Sequence, residues 1–127
     1  LAFQPEFFQQ SATVTLEDEA LTTLITIPTA RIERMTIQID VVTTALDQFE
    51  VQARPSTAAA FNTIFSSSSD FTTASDVMIK ASGDLTALGA ASTGWIILFP
   101  SGWEQTRIQI ARAAGSDATV TAFVGAS

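Results

Sequence analysis

The chain has 127 residues, a formal charge of −7 from 13 acidic and 6 basic side chains, and neither cysteine nor histidine. That length suits one domain, large enough to bury about two thirds of its unfolded surface around a single core. The charge argues against nucleic acid, which is held by Lys and Arg on phosphates, and against anionic membranes, while the missing residue types rule out disulfides, thiolate chemistry and histidine ligation of transition metals.

The opening segment LAFQPEFFQQ has no basic n-region and no apolar run of signal-peptide length, and no stretch approaches the ~20 apolar residues that cross a bilayer, so a soluble protein is expected. Residues 1–10 are expected to form an extended arm carrying Phe3, Phe7 and Phe8 around Pro5, and residues 11–127 one domain. Alternation then begins. SATVTL (11–16) reads as a strand, the acidic EDE (17–19) as a turn, and ALTTLITIP as a strand with Leu21, Ile25 and Ile27 on one face, which Pro28 ends or places at a sheet edge. Met35, Ile37, Ile39 and Val41 recur with period 2 against Thr36, Gln38 and Asp40, and the same rhythm puts Phe49, Val51 and Ala53 inward and Glu50, Gln52 and Arg54 outward. In AAAFNTIF (58–65), Phe61, Thr63 and Phe65 fit strand parity; SSSSDFTTASD (66–76) reads as an exposed loop. DVMIKAS, TGWIILF, EQTRIQIARA and ATVTAFV supply further strands.

About eight short strands, turn signals between them and no amphipathic helix predict an all-β chain, an antiparallel β-sandwich of jelly-roll or immunoglobulin-like type. Five arginines in an acidic chain are expected to pair with its carboxylates, within or between subunits.

No catalytic set emerges, and the chain is expected not to be an enzyme and to bind no metal or organic cofactor. EDE lacks the spaced oxygen ligands of a calcium loop, SSSSD has no His or Lys partner that would activate a serine, and the glycines near GWEQ and SGD form no phosphate loop. The TxT pairs Thr13/Thr15 and Thr119/Thr121 read as solvent-side strand residues rather than as part of a regular ice-binding array. Trp103 with Glu104 or Gln105 suggests a sugar platform, the basis of an alternative reading as a carbohydrate-binding or receptor-binding module; Glu50 and Glu104, beside Phe49 and Trp103, could form the carboxylate pair of a glycosidase but read first as solvent-facing charges.

TGWIILFP (93–100) is apolar on both faces. If Trp95, Ile97 and Phe99 point into the sandwich, Ile96 and Leu98 point outward, and the parity of TVTAFV sends Phe123 outward as well. The outer apolar surface is then covered by the chain's own arm, by a long loop, or by another subunit. Phe3, Phe7, Phe8, Ile96, Leu98 and Phe123 are the expected protein-interface residues, since contiguous exposed apolar patches mark association surfaces.

The runs ALDQFEVQAR, FNTIFSSSSDFT and SGDLTALGAASTGWIILFPSGWEQTRIQIARAAGSDATVTAFVGAS, about residues 45–127, resemble small head-accessory and capsid decoration (cement) proteins of tailed bacteriophages. The likeness lies in the order of an F-E-V-Q-x-R strand, an L-T-x-L connection, a G-W strand, an R-I-x-I strand and a terminal T-V-T strand. It implies a virion structural protein on the head surface, stabilising the shell by contacts with the major capsid protein or other virion proteins and with its own copies. It transfers no site residues.

Overall fold

The structure, a computed structural model, describes residues 8–67, 80–81 and 92–127. The described elements are all strands: β1 (Phe8–Leu16), β2 (Thr22–Pro28), β3 (Met35–Val42), β4 (Leu46–Arg54), β5 (Asn62–Ser67), the two-residue β6 (Lys80–Ala81), β7 (Ser92–Leu98), β8 (Gln105–Arg112) and β9 (Ala118–Ala126). They form two antiparallel sheets, one ordered β1-β9-β3-β7-β6 and the other β2-β8-β4-β5. β1 pairs with β9, β2 with β8, β3 with β7 and β4 with β5, as though one long hairpin had been rolled up so that successive pairs fall in alternate sheets. This is the jelly-roll arrangement, and it decides between the two sandwich types that alternation alone leaves open.

The core lies between the sheets. Met35, Ile37, Ile39 and Val41 of β3, at most 1 % exposed, face it with Ile96, Leu98, Val120, Ala122 and Val124, and Ile27, Phe49, Val51, Phe65, Ile108 and Ile110 close it from the other side. A register shift between Thr23 and Ile25 lets the consecutive Leu24 and Ile25 both turn inward, while Leu21 stands before the strand, 40 % exposed, off the face expected for it. β2 is an edge strand, where a missing N–H is tolerated, and Pro28 is its last residue. β1 begins at Phe8, whose partner is Ala126, so residues 8–10 belong to the sheet and the domain starts earlier than residue 11. Most of the expected loop 66–76 lies outside the described residues; Ser66 and Ser67 end β5.

Two polar groups inside the sandwich tie its ends together. Thr29 and Thr106 are fully buried; the Thr29 hydroxyl donates to the Trp103 carbonyl at 2.8 Å, so across the 3.0 Å Thr29–Thr106 contact it is Thr106 that donates. Arg112, 7 % exposed at the end of β8, donates from Nε to the Leu16 carbonyl, from Nη2 to that of Glu17, and from Nη1 to those of Ala113 and Gly115. Four backbone acceptors thus stand in for the carboxylate that its charge would be expected to seek, and they clamp the β1–β2 turn to the β8–β9 turn.

Arg112→Leu keeps bulk but strands those carbonyls, and it is expected to lower unfolding stability by roughly 2–4 kcal/mol, since hydrogen bonds to charged groups are worth about 1.5–3 kcal/mol each and partial solvation recovers some of the loss. Denaturant melts of parent and variant check this; an unchanged midpoint would show that the clamp adds nothing.

Candidate functional site

Partners directly opposite in neighbouring strands share a face. β3 sets Ile37 opposite Ile96 and Met35 opposite Leu98, and because Ile37 and Met35 point to the core, so do Ile96 and Leu98, both 0 % exposed. The orientation expected for this strand is therefore reversed. Trp95 and Phe99, each 40 % exposed, lie outside with the half-buried Ile97, and Ile96 and Leu98 are core residues unable to serve as interface anchors. The aliphatic side chains fill the sandwich, and the larger rings project from it.

Phe123 does face outward, 47 % exposed. Its place in the sheet is set by β3 too, because Gln38 lies opposite Phe123 on one side and opposite Trp95 on the other. Ser11, Phe123, Gln38 and Trp95 consequently form one row across four strands, with the two aromatics about 10 Å apart at two strand spacings. The next outward row is Thr13, Thr121, Asp40 and Thr93, in which the Thr13 and Thr121 hydroxyls meet at 3.1 Å and Thr93 donates to the Asp40 carboxylate at 2.9 Å. Thr15 and Thr119 also pair across β1 and β9, so the two TxT motifs form one local block of four. A groove of about 380 Å³, lined by Gln9, Gln10, Ser11, Phe123 and Val124, runs beside the aromatic row.

Of the arm residues, Phe3 and Phe7 lie outside the described residues. Phe8 is half-buried, packs against the core cluster and lines a groove of about 310 Å³ with Pro28, Ala30, Arg31, Ile32, Ala126 and Ser127.

The outer face of the second sheet has a different chemistry. Gln52-Ala53-Arg54 in β4 and Gln105-Thr106-Arg107 in β8 are both Q-x-R triplets, and antiparallel pairing sets Gln52 opposite Arg107 and Arg54 opposite Gln105. Each arginine donates through Nε at 2.7 Å to the carbonyl oxygen of the glutamine it faces, Arg54 adding Nη2 to the same oxygen and Nη1 to the Thr57 and Ala59 carbonyls. Both guanidinium carbons lie over the Phe61 ring, at 4.5 Å for Arg54 and 4.0 Å for Arg107. Phe61 reaches this face because a register shift between Val51 and Gln52 sets Phe65 opposite Val51 and Thr63 opposite Gln52, with Ile64 as the extra residue. Phe65 therefore points inward and Thr63 outward, and the shared parity expected for these residues does not hold. From Gln52 the chain of bonds continues to Glu50, whose other oxygen accepts from Ser66. Arg54 and Arg107 thus take neutral partners, as Arg112 does, rather than the carboxylates expected for them.

Trp103 and Glu104, the sugar platform of the alternative reading, are half-buried in the β7–β8 turn. The Trp103 amide bonds to the Pro100 carbonyl across Gly102, whose φ of +91° suits it to this turn, and Glu104 bonds through its backbone to Thr29 and Arg54. The Gln105 carbonyl oxygen is occupied by Arg54. In the EDE turn, Asp18 accepts the amide of Ala20 at 2.9 Å.

No protein-family model matches the chain, and no curated protein matches it in sequence. Among solved structures it is similar to the SPBc2 prophage-derived protein YomS, at a TM-score of 0.52 and 8 % identity over 98 % of both chains. The K2 cleaved adhesin domain of Lys-gingipain aligns at a TM-score of 0.47 and 10 % identity, over 79 % of this chain and 59 % of that one. The likeness to the prophage-derived protein is one of fold.

The reversed orientation of β7 makes a direct stability prediction. Leu98→Ala is expected to cost about 2–5 kcal/mol, the range for deleting a core leucine, whereas Phe123→Thr changes stability by roughly 0.5 kcal/mol, as surface substitutions do. Chemical denaturation of the two variants compares them; equal losses would refute the assignment of faces.

Proposed function

We propose that this protein is a non-enzymatic structural component of a phage particle, a decoration protein that stabilises the head by binding major capsid subunits in many copies. The observation that carries the reading is the aromatic row on the outer face of the β1-β9-β3-β7-β6 sheet, where Phe123 and Trp95 flank Gln38. Rings exposed on a rigid sheet are anchors of the kind that dominate protein interfaces, rimmed here by threonines and Asp40 that stay hydrogen-bonded without a partner.

The resemblance of residues 45–127 to phage head-accessory proteins and the shared fold with a prophage-derived protein support the same reading. A chain without His or Cys lacks the commonest neutral-pH acid–base group and the thiol nucleophile, which favours association over catalysis.

Purified particles are expected to contain the protein in copy numbers comparable to the major shell protein, measured by quantitative mass spectrometry; a few copies per particle would place it at the tail or portal and overturn the decoration role. Trp95→Thr with Phe123→Thr is expected to weaken attachment to stripped particles about 30-fold to 1000-fold, from roughly 1–2 kcal/mol per truncated anchor. Co-sedimentation of folded variant and parent reads that change, and undiminished binding would move the contact to another face.

A further inference from the structure

Arg107 is held in place from two sides and open on a third. Its Nε is spent on Gln52 and its carbon sits 4.0 Å from the centre of the Phe61 ring, yet among the described residues Nη1 and Nη2 have no acceptor. These two nitrogens form the planar edge of the guanidinium that matches the two oxygens of a carboxylate. The ring and the Nε bond fix the plane, so little rotational freedom is left to lose on binding.

The surroundings favour an anion at this edge. Two of the chain's six basic side chains meet over Phe61 in a protein of net charge −7, a local positive spot in an acidic field. Glu50, the next outward residue of β4 beyond Gln52, is a diagonal neighbour of Arg107, but its two oxygens accept from Gln52 and Ser66.

Hydroxyl-bonding groups lie along the same face. The register across the sheet runs Thr26, Arg107, Gln52, Thr63, which sets an exposed threonine at each end of the row, and the neighbouring Gln105 keeps its amide N–H groups unused among the described residues. None of the exposed large apolar side chains, Leu21, Val42, Trp95, Phe99 and Phe123, belongs to β2, β4, β5 or β8. The face offers guanidinium groups over one ring in place of exposed apolar side chains, a mix that suits a hydroxyl-rich ligand bearing a carboxylate.

We infer that the outer face of the β2-β8-β4-β5 sheet binds an acidic polysaccharide, with Arg107 taking the carboxylate of a uronic acid residue through Nη1 and Nη2, and Thr26, Thr63 and Gln105 bonding the sugar hydroxyls. This site is independent of the aromatic row and of the decoration role.

The test is calorimetric titration with oligogalacturonate, oligoguluronate and oligomannuronate, alongside methyl-esterified oligogalacturonate and poly-glutamate. At least one uronate is expected to bind, the ester not to bind, and poly-glutamate to bind at least 10-fold more weakly. Arg107→Gln and Arg107→Lys are each expected to weaken uronate binding about 10-fold or more, the lysine because it keeps the charge but loses the fork. Thermal melts and undiminished particle binding of the lysine variant show that fold and aromatic row are intact. The inference is overturned if no uronate binds the parent, if Arg107→Lys binds as tightly as the parent, or if poly-glutamate binds as well as the sugar, which would make the face a docking site for an acidic protein.

Discussion

The register that β3 imposes on its two neighbours is the constraint from which the rest of the five-stranded sheet follows. Met35, Ile37, Ile39 and Val41 leave no freedom about which side of β3 is buried, and a slip of one residue would expose all four. Ile37 sits between Ile96 and Val124, so the inner faces of β7 and β9 are settled by the same choice. So are the outer ones. Gln38, next in sequence, holds Trp95 and Phe123 on the far side, and the aromatic row is thus a by-product of core registration rather than a surface designed by local preference.

The second sheet shows how an acidic chain can carry cations without ion pairs. Two Q-x-R triplets, antiparallel and in register, give each guanidinium an amide oxygen from the facing strand, and Phe61 covers the pair. A neutral acceptor leaves the positive charge uncancelled while still fixing its geometry. Arg112 does the same inside the sandwich with four carbonyls, where it serves the fold; Arg107 does it at the surface, where one edge remains presented to solvent.

Period-2 alternation made most strands legible, because Met35 to Val41 and Phe49 to Ala53 contrast sharply with their polar neighbours. It failed where contrast was missing. Trp95 to Phe99 is apolar at every position, and side-chain size, the remaining cue, favoured burying the rings, whereas the register with β3 buried Ile96 and Leu98. The bulges at Leu24 and Ile64 were equally silent, since an extra residue changes parity without changing composition, and it is the second of them that frees Phe61 to cover the arginines. The Q-x-R triplets were visible, but their meaning depends on two strands about fifty positions apart being neighbours in matched register, which one sequence does not disclose.

Rolling up a hairpin also fixes the order in which a growing chain can be satisfied. β4 and β5 are the first described strands whose partner follows closely; β1, β2 and β3 emerge early, yet β9, β8 and β7, to which they pair, come only near the end. During synthesis three strands with alternating apolar faces must therefore wait with open edges, the state in which chains pair wrongly with one another. The acidic turn EDE between β1 and β2, and Pro28 at the end of β2, stand on this waiting segment, and charge and proline are the two devices that discourage edge-to-edge pairing. Features that look incidental in the finished sandwich thus stand where an edge left open before the sandwich exists would need guarding.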